Sequence, residues 1–138
     1  MSAHLKEKEE KILRVLERLA RESSKGILII VEGKKDVESL RALGIEGKIV
    51  ASKTGGRSRL DLVSLIENKG LKEVILLFDF DRAGRIETAH VKQQLEKCRI
   101  KANGMFRAEL IGLVGREVKD IEGLDAYLAT LKGKLIKT

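Results

Sequence analysis

Polar and apolar positions along this chain follow two periods. Leu5, Ile12, Leu16 and Leu19 recur at helical spacing with Lys and Glu between them, which predicts a helix over residues 4–23 ended by Ser23, Ser24 and Gly26. Ile27-Leu28-Ile29-Ile30-Val31 is then continuously apolar and rich in β-branched residues, the pattern of a strand covered on both faces. Residues 35–43 predict a helix with Val37, Leu40 and Leu43 inward and Gly44 just past its end. Lys48-Ile49-Val50-Ala51 is a short second strand, and Ser52 to Arg57 is a glycine-bearing loop. Residues 59–68 predict a helix carrying Leu60, Val63, Leu65 and Ile66. Val74-Ile75-Leu76-Leu77-Phe78 is a third, fully covered strand. Residues 82–99 predict a long helix with Ile86, Ala89, Leu95 and Cys98 inward. Met105 to Leu113 is expected to be a fourth strand bent near Gly112, and residues 122–132 a last helix with Leu124, Tyr127, Leu128 and Leu131 inward.

Strands alternating with helices predict an α/β fold, a mostly parallel sheet of about four strands with right-handed crossovers. Ligands of such sheets sit beyond the carboxyl ends of the strands. At 138 residues the chain suits one domain, residues 26–138, preceded by an extra helix within residues 1–25. Aromatics are only 3%, so the core must be built from Val, Ile, Leu and Ala.

The formal charge of +7 favours anionic partners. One cysteine, Cys98, excludes an internal disulfide, and with only His4 and His90 beside it a structural zinc site is not expected. No apolar run approaches the roughly 20 residues of a membrane span, and Met1 to Arg21 lacks a signal-peptide stretch. The expectation is a cytoplasmic chain with no membrane partner.

The chemistry-bearing residues stand where two apolar strands stop. Glu32 ends the first and Asp79 and Asp81 the third. If these strands are neighbours, three carboxylates meet at one edge, since residues i and i+2 of an extended chain face the same way. Such a set repels itself unless it holds a proton or a cation, and carboxylates with room for water suit Mg²⁺. The alternative for each acid is a helix cap. Gly33 is read as the sharp turn after Glu32, and Gly84 as a position where a side chain obstructs substrate. Plain turn and packing chemistry remains the alternative for both.

Ile29-Ile30-Val31-Glu32-Gly33-Lys34-Lys35-Asp36 resembles the glutamate motif of the Toprim family, and Asp79-Phe80-Asp81-Arg82-Ala83-Gly84 resembles its Asp-x-Asp-x-x-Gly motif. The resemblance spans roughly residues 26–107 and extends to primases, topoisomerases, recombination-repair proteins and ribosomal-RNA maturation nucleases. It implies a Rossmann-like Toprim fold with a C-terminal helical extension and Mg²⁺-dependent phosphodiester chemistry, with Mn²⁺ as a substitute. It also implies general acid–base work for Glu32 and metal binding by Asp79 and Asp81, Glu32 sharing the metal. Haloacid-dehalogenase phosphatases also use Asp-x-Asp, but after the first strand. Receiver domains need an acid pair there, which Glu32-Gly33 does not supply.

Lys34, Lys35, Lys53, Arg57, Arg59, Arg82 and Arg85 lie in the three loops expected at that edge, a cradle for phosphates. Lys53 and Arg82 are the first choices for contact, with Lys34 and Arg57 beside them. Thr54-Gly55-Gly56 offers backbone N–H groups to a phosphate, although no Walker loop is present. His90 and Tyr127 are read as surface or packing residues. The chain has no tyrosine-bearing or zinc region of the larger Toprim enzymes, so nuclease action is the leading expectation, on RNA in preference to DNA. The alternatives are a non-catalytic recruitment module within a larger RNA- or DNA-processing complex, and a primase-like nucleotidyl transferase completed by a partner.

Overall fold

The computed structural model describes residues 2–137. Helix α1 (Ser2–Ser24) leads into β1 (Leu28–Val31), α2 (Lys34–Ala42), β2 (Ile49–Ala51), α3 (Arg59–Asn68), β3 (Glu73–Leu76), α4 (Arg82–Lys97), β4 (Lys101–Asn103), α5 (Met105–Val114) and α6 (Leu124–Lys137). Short 3₁₀ turns cover Thr54–Gly56 and Ile121–Gly123. All strand pairs are parallel, in the order β2-β1-β3-β4. β1 and β3 are therefore adjacent, which is the condition for their terminal acids to meet.

The strands read as continuous apolar runs because both faces of the sheet are covered. Ile29, Val31, Ile75 and Leu77 face one layer, with Ile12, Leu19, Leu40, Leu110, Leu124 and Leu128 from α1, α2, α5 and α6. Leu28, Ile30, Val74, Leu76 and Phe78 face the other, against Leu62 and Ile66 of α3 and Val91 and Leu95 of α4. Each such side chain contributes about 1.5–3 kcal/mol of burial. Along α1, Arg18 pairs with Glu109 at 3.0 Å and Lys8 with Glu117 at 2.9 Å.

Two expectations require correction. Residues 105–114 are helix α5, not a strand, and the fourth strand is the three residues Lys101–Asn103 before it. Phe106, Leu110 and Val114 recur every four residues and are buried, so the true period is helical. The helix reads as strand-like because a helix covered on several sides is apolar nearly all round. Asn103 Oδ1 accepts the Met105 N–H at 2.9 Å, which turns the chain from strand to helix. Second, Ile86 and Ala89 do not face inward, and Leu60, carried by α3, is exposed as well. Leu60 is 70% and Ile86 42% exposed, and Ala89 is exposed too. α4 instead buries Gly84, Val91 and Leu95. Cys98 is half-buried, Tyr127 is half-buried against the core and His90 is exposed.

Candidate metal centre

β1 and β3 deliver Glu32 and Asp79 side by side. Ser52 N–H donates to the Val31 carbonyl at 2.8 Å and Lys53 N–H to the Glu32 carbonyl at 3.0 Å, which extends the β1–β2 pairing past the strand end. Glu32 Oε2 accepts the Asp79 N–H at 3.1 Å, and its Oε1 takes Lys53 Nζ at 2.7 Å. The Glu32 side chain is 15% exposed while that of Lys53 is 75% exposed, so the lysine covers the acid from the solvent side.

The Asp79–Asp81 turn is held at every step. Phe80 N–H donates to the Lys119 carbonyl at 2.7 Å. Asp81 is the N-cap of α4, its Oδ1 accepting the Gly84 N–H at 2.8 Å. For this residue the helix-cap reading is correct, and it engages one oxygen. Arg107 of α5 donates to the Phe78 and Asp79 carbonyls beneath the turn.

The two adjacent carboxylates divide their charge unequally. Burial works to raise the Glu32 pKa, but hydrogen bonds from Asp79 and Lys53 outweigh it and hold the group below the usual range. Asp79 is pushed up to about 8, first by burial, then by the hydrogen bond and charge of Glu32 and by the charges of Asp36 and Asp120. Glu32 keeps Lys53 protonated above its ordinary value, helped by Asp79 and Asp81. The pair titrates as a unit, with the proton favoured on Asp79 below about pH 8.

That proton has a consequence for stability. The folded chain binds it more tightly than the unfolded chain, so Asp79 contributes stability that is complete below the ordinary carboxylate range and is lost as pH rises through about 8. An Asp79→Asn variant has nothing to ionise. In EDTA its Tm relative to the native chain should rise by about 2–4 °C between pH 5 and pH 9, the scale of roughly 1 kcal/mol in a chain of this size after solvent screening. Thermal melts across that range check it, and a pH-independent difference would mean that Asp79 ionises normally.

A second set of acids lies beside the first. Asp36, Asp120 and Glu122 bring carboxylate oxygens within 4.8 Å of one another. Asp36 is buried, Asp120 half-buried and Glu122 exposed. Asp36 accepts the Gly33 N–H at 3.0 Å and the Glu122 N–H at 2.8 Å, and burial followed by the charges of Asp120 and Glu122 raises its pKa despite those bonds. Asp36 stands in the glutamate motif without a role expected for it, and Asp120, Glu122 and Arg107 were not among the expected site residues. Asp120-Ile121-Glu122, an acid pair two apart before a helix, was the available signal for one set. A lone arginine in the apolar run from Met105 to Val114 was the signal for the other.

The surrounding loop residues fall into distinct situations. Arg57 Nη1 donates to the Ala51 carbonyl at 3.2 Å, and Arg59 pairs with Glu87 at 2.8 Å. Lys34 and Arg82 are exposed at the first positions of α2 and α4. Glu32, Ser52, Lys53, Arg57, Ser58, Arg59 and Glu87 line an open cavity of about 290 Å³ beside the acids. Gly55 and Gly56 take φ of +72° and +69°, which a side chain would strain.

The chain bends at Glu32 and Gly33 as expected, but the bend does not require a glycine. The Gly33 φ of −134° and ψ of 174° are open to any residue, and a Cβ there would meet only Asp36 Oδ2 at 3.9 Å. At Gly84 the packing alternative holds. A Cβ on it would run into the Asp79 carbonyl oxygen.

The donor set fits a hard divalent ion. Among the described residues the three acids whose oxygens lie within 4.8 Å of one another are Asp36, Asp120 and Glu122, whereas Glu32, Asp79 and Asp81 do not form such a group; both sets offer carboxylate oxygens with no sulfur or imidazole. Comparison with known proteins matches residues 27–111 to the Toprim domain. A UPF0292 protein of Methanocaldococcus jannaschii is 40% identical over 120 residues, 86% of this chain and 91% of that one. A UPF0292 protein of Pyrococcus furiosus is 36% identical over 115 residues, 83% and 82% of the two chains. A solved structure from Aquifex aeolicus superposes with a TM-score of 0.65 at 27% identity, over 79% of this chain and 94% of that one.

Proposed function

The chain belongs to the Toprim family, and from that premise we propose that it cleaves nucleic-acid phosphodiesters by metal-dependent hydrolysis, on RNA in preference to DNA. Toprim membership points to metal-dependent phosphodiester chemistry in general. The observation that carries the hydrolytic reading is the meeting of Glu32 and Asp79 at the carboxyl edge of two adjacent parallel strands, with Glu32 Oε2 accepting the Asp79 N–H at 3.1 Å and Lys53 Nζ 2.7 Å from Oε1.

In this reading Asp79 and Asp81 hold Mg²⁺ or Mn²⁺, with Glu32 adjoining. When bound, the ion supplies polarisation of a phosphoryl oxygen and neutralisation of developing charge. Glu32 takes the proton of the attacking water as the new P–O bond forms and the bond to the leaving oxygen breaks. Lys53, able to swing from Glu32 because its side chain is 75% exposed, and Arg82, exposed at the start of α4, neutralise the phosphate, with Lys34 and Arg57 beside them. Gly55 and Gly56 present backbone N–H groups to a neighbouring phosphate.

The test is cleavage of end-labelled single-stranded RNA, structured RNA and DNA with Mg²⁺, Mn²⁺ or EDTA, beside an Asp79→Asn/Asp81→Asn variant. Metal-dependent cutting that the variant lacks is the expected outcome, fastest on RNA. Salt-sensitive binding without cutting would instead establish a recruitment module. A requirement for nucleoside triphosphates would establish nucleotidyl transfer.

A further inference from the structure

The strand that carries Asp79 outruns its outer neighbour. β4 ends at Asn103, whose partner is Ile75, while the β3 chain continues through Leu77 and Phe78 to Asp79. On the inner side the pairing keeps pace, with Leu77 N–H donating to the Ile30 carbonyl at 2.8 Å and Asp79 N–H to Glu32. On the outer side no residue of β4 reaches Phe78. Arg107 fills that place: its Nε donates to the Phe78 carbonyl at 3.1 Å, and its Nε and Nη2 donate to the Asp79 carbonyl at 3.2 and 2.7 Å.

Arg107 is 7% exposed. Burying a guanidinium costs free energy that an apolar side chain in α5 would not incur. Burial accordingly pulls its pKa down, and the charges of Asp81, Asp79 and Glu32 act against that. The cation is thus sited behind the acids. Gly84 closes on the same Asp79 carbonyl, so that peptide is clamped between a guanidinium fork and a helix backbone.

We propose that Arg107 is a positioning residue for the acidic centre, fixing the Asp79 peptide and so the direction in which the Asp79 and Asp81 carboxylates face. The proposal rests on the reading of those acids as metal ligands. Lysine keeps the charge but replaces a planar fork with a single point donor, and methionine loses both.

Charge and position make opposite demands, which renders the role testable. Removing a cation from behind three acids strengthens divalent-ion binding if charge alone matters, and weakens it if orientation matters. Mn²⁺ affinity is measured by calorimetry and by the spin-resonance signal of the free ion, for the native chain, Arg107→Met, Arg107→Lys and Asp79→Asn/Asp81→Asn, with melting curves to confirm folding. Arg107→Met is expected to bind about 10–100-fold more weakly, the range for lost outer-shell partners, and Arg107→Lys to fall between it and the native chain. Equal or tighter binding by folded Arg107→Met overturns the proposal. Where that variant does not fold, native-like affinity of Arg107→Lys overturns it. If the native chain binds Mn²⁺ no better than the Asp79→Asn/Asp81→Asn variant, the metal reading itself fails and takes this proposal with it, an outcome distinct from the others.

Discussion

A Glu32→Gln variant is expected to lose about 10²–10⁴-fold in kcat for metal-dependent cleavage, the range that a positioned general base contributes. The substitution keeps the side chain's length and an oxygen to accept the Asp79 N–H, which lies 3.1 Å from Oε2 in the native chain. What it removes is proton affinity and the partner of Lys53. Glu32 suits the role because Asp79 and Lys53 together keep it ionised in spite of its burial. Single-turnover rates at saturating Mg²⁺ separate the proton role from weakened ion binding. A full rate for Glu32→Gln under those conditions would assign the proton transfer to another group.

The second large effect is expected at Gly84. A methyl group there meets the Asp79 carbonyl oxygen and carbon and comes within 3.0 Å of its Cα, all of it backbone with little room to yield. The Asp79 peptide is also fixed from behind by Arg107. Gly84→Ala should therefore destabilise the chain by about 1–3 kcal/mol, as overpacking does, and displace the Asp79–Asp81 turn. Gly33→Ala is the matched control: it adds the same methyl group in the partner motif, into ordinary van der Waals space at 3.9 Å, and should change stability by no more than about 0.5 kcal/mol. Urea melts of both variants give the comparison. If Gly84→Ala is as stable as Gly33→Ala, α4 does not pack against the turn as closely as described.

How far these features were legible in the sequence depended on which contacts made them. The strands β1 and β3 were legible because an uninterrupted apolar run of five has few alternatives beside a sheet covered on both faces. The neighbouring positions of Glu32 and Asp79 then followed from motif and fold together. The error at Met105 to Val114 arose from the same rule: apolarity reports burial, and only the spacing of Phe106, Leu110 and Val114 reports the helix. Ile86 misled because an apolar side chain need not be inside.

Within the centre, residue types predicted chemistry better than they predicted who holds whom. Asp81 was legible as an acid at the edge, and its capping of α4 as the alternative held open for all three acids, but not which of the three would cap. Arg107 stood out only as an arginine in an apolar run, and its role was not legible because its partners are backbone carbonyls, 28 and 29 residues away in the chain, that carry no signature of their own. Asp36, Asp120 and Glu122 come from two segments joined only when the turn before α6 docks on α2, as the Asp36–Glu122 hydrogen bond across 86 residues records.

The packing of α1 has a consequence for synthesis. Its ion pairs reach Glu109 and Glu117, 91 and 109 residues downstream, and its inner face of Ile12, Leu16 and Leu19 shares a core with Leu110, Leu124 and Leu128. At about 5–20 residues per second, that greasy stripe leaves the ribosome at least several seconds before the helices that shield it exist. The nascent chain therefore spends most of its translation with the inner face of α1 lacking its α5 and α6 partners.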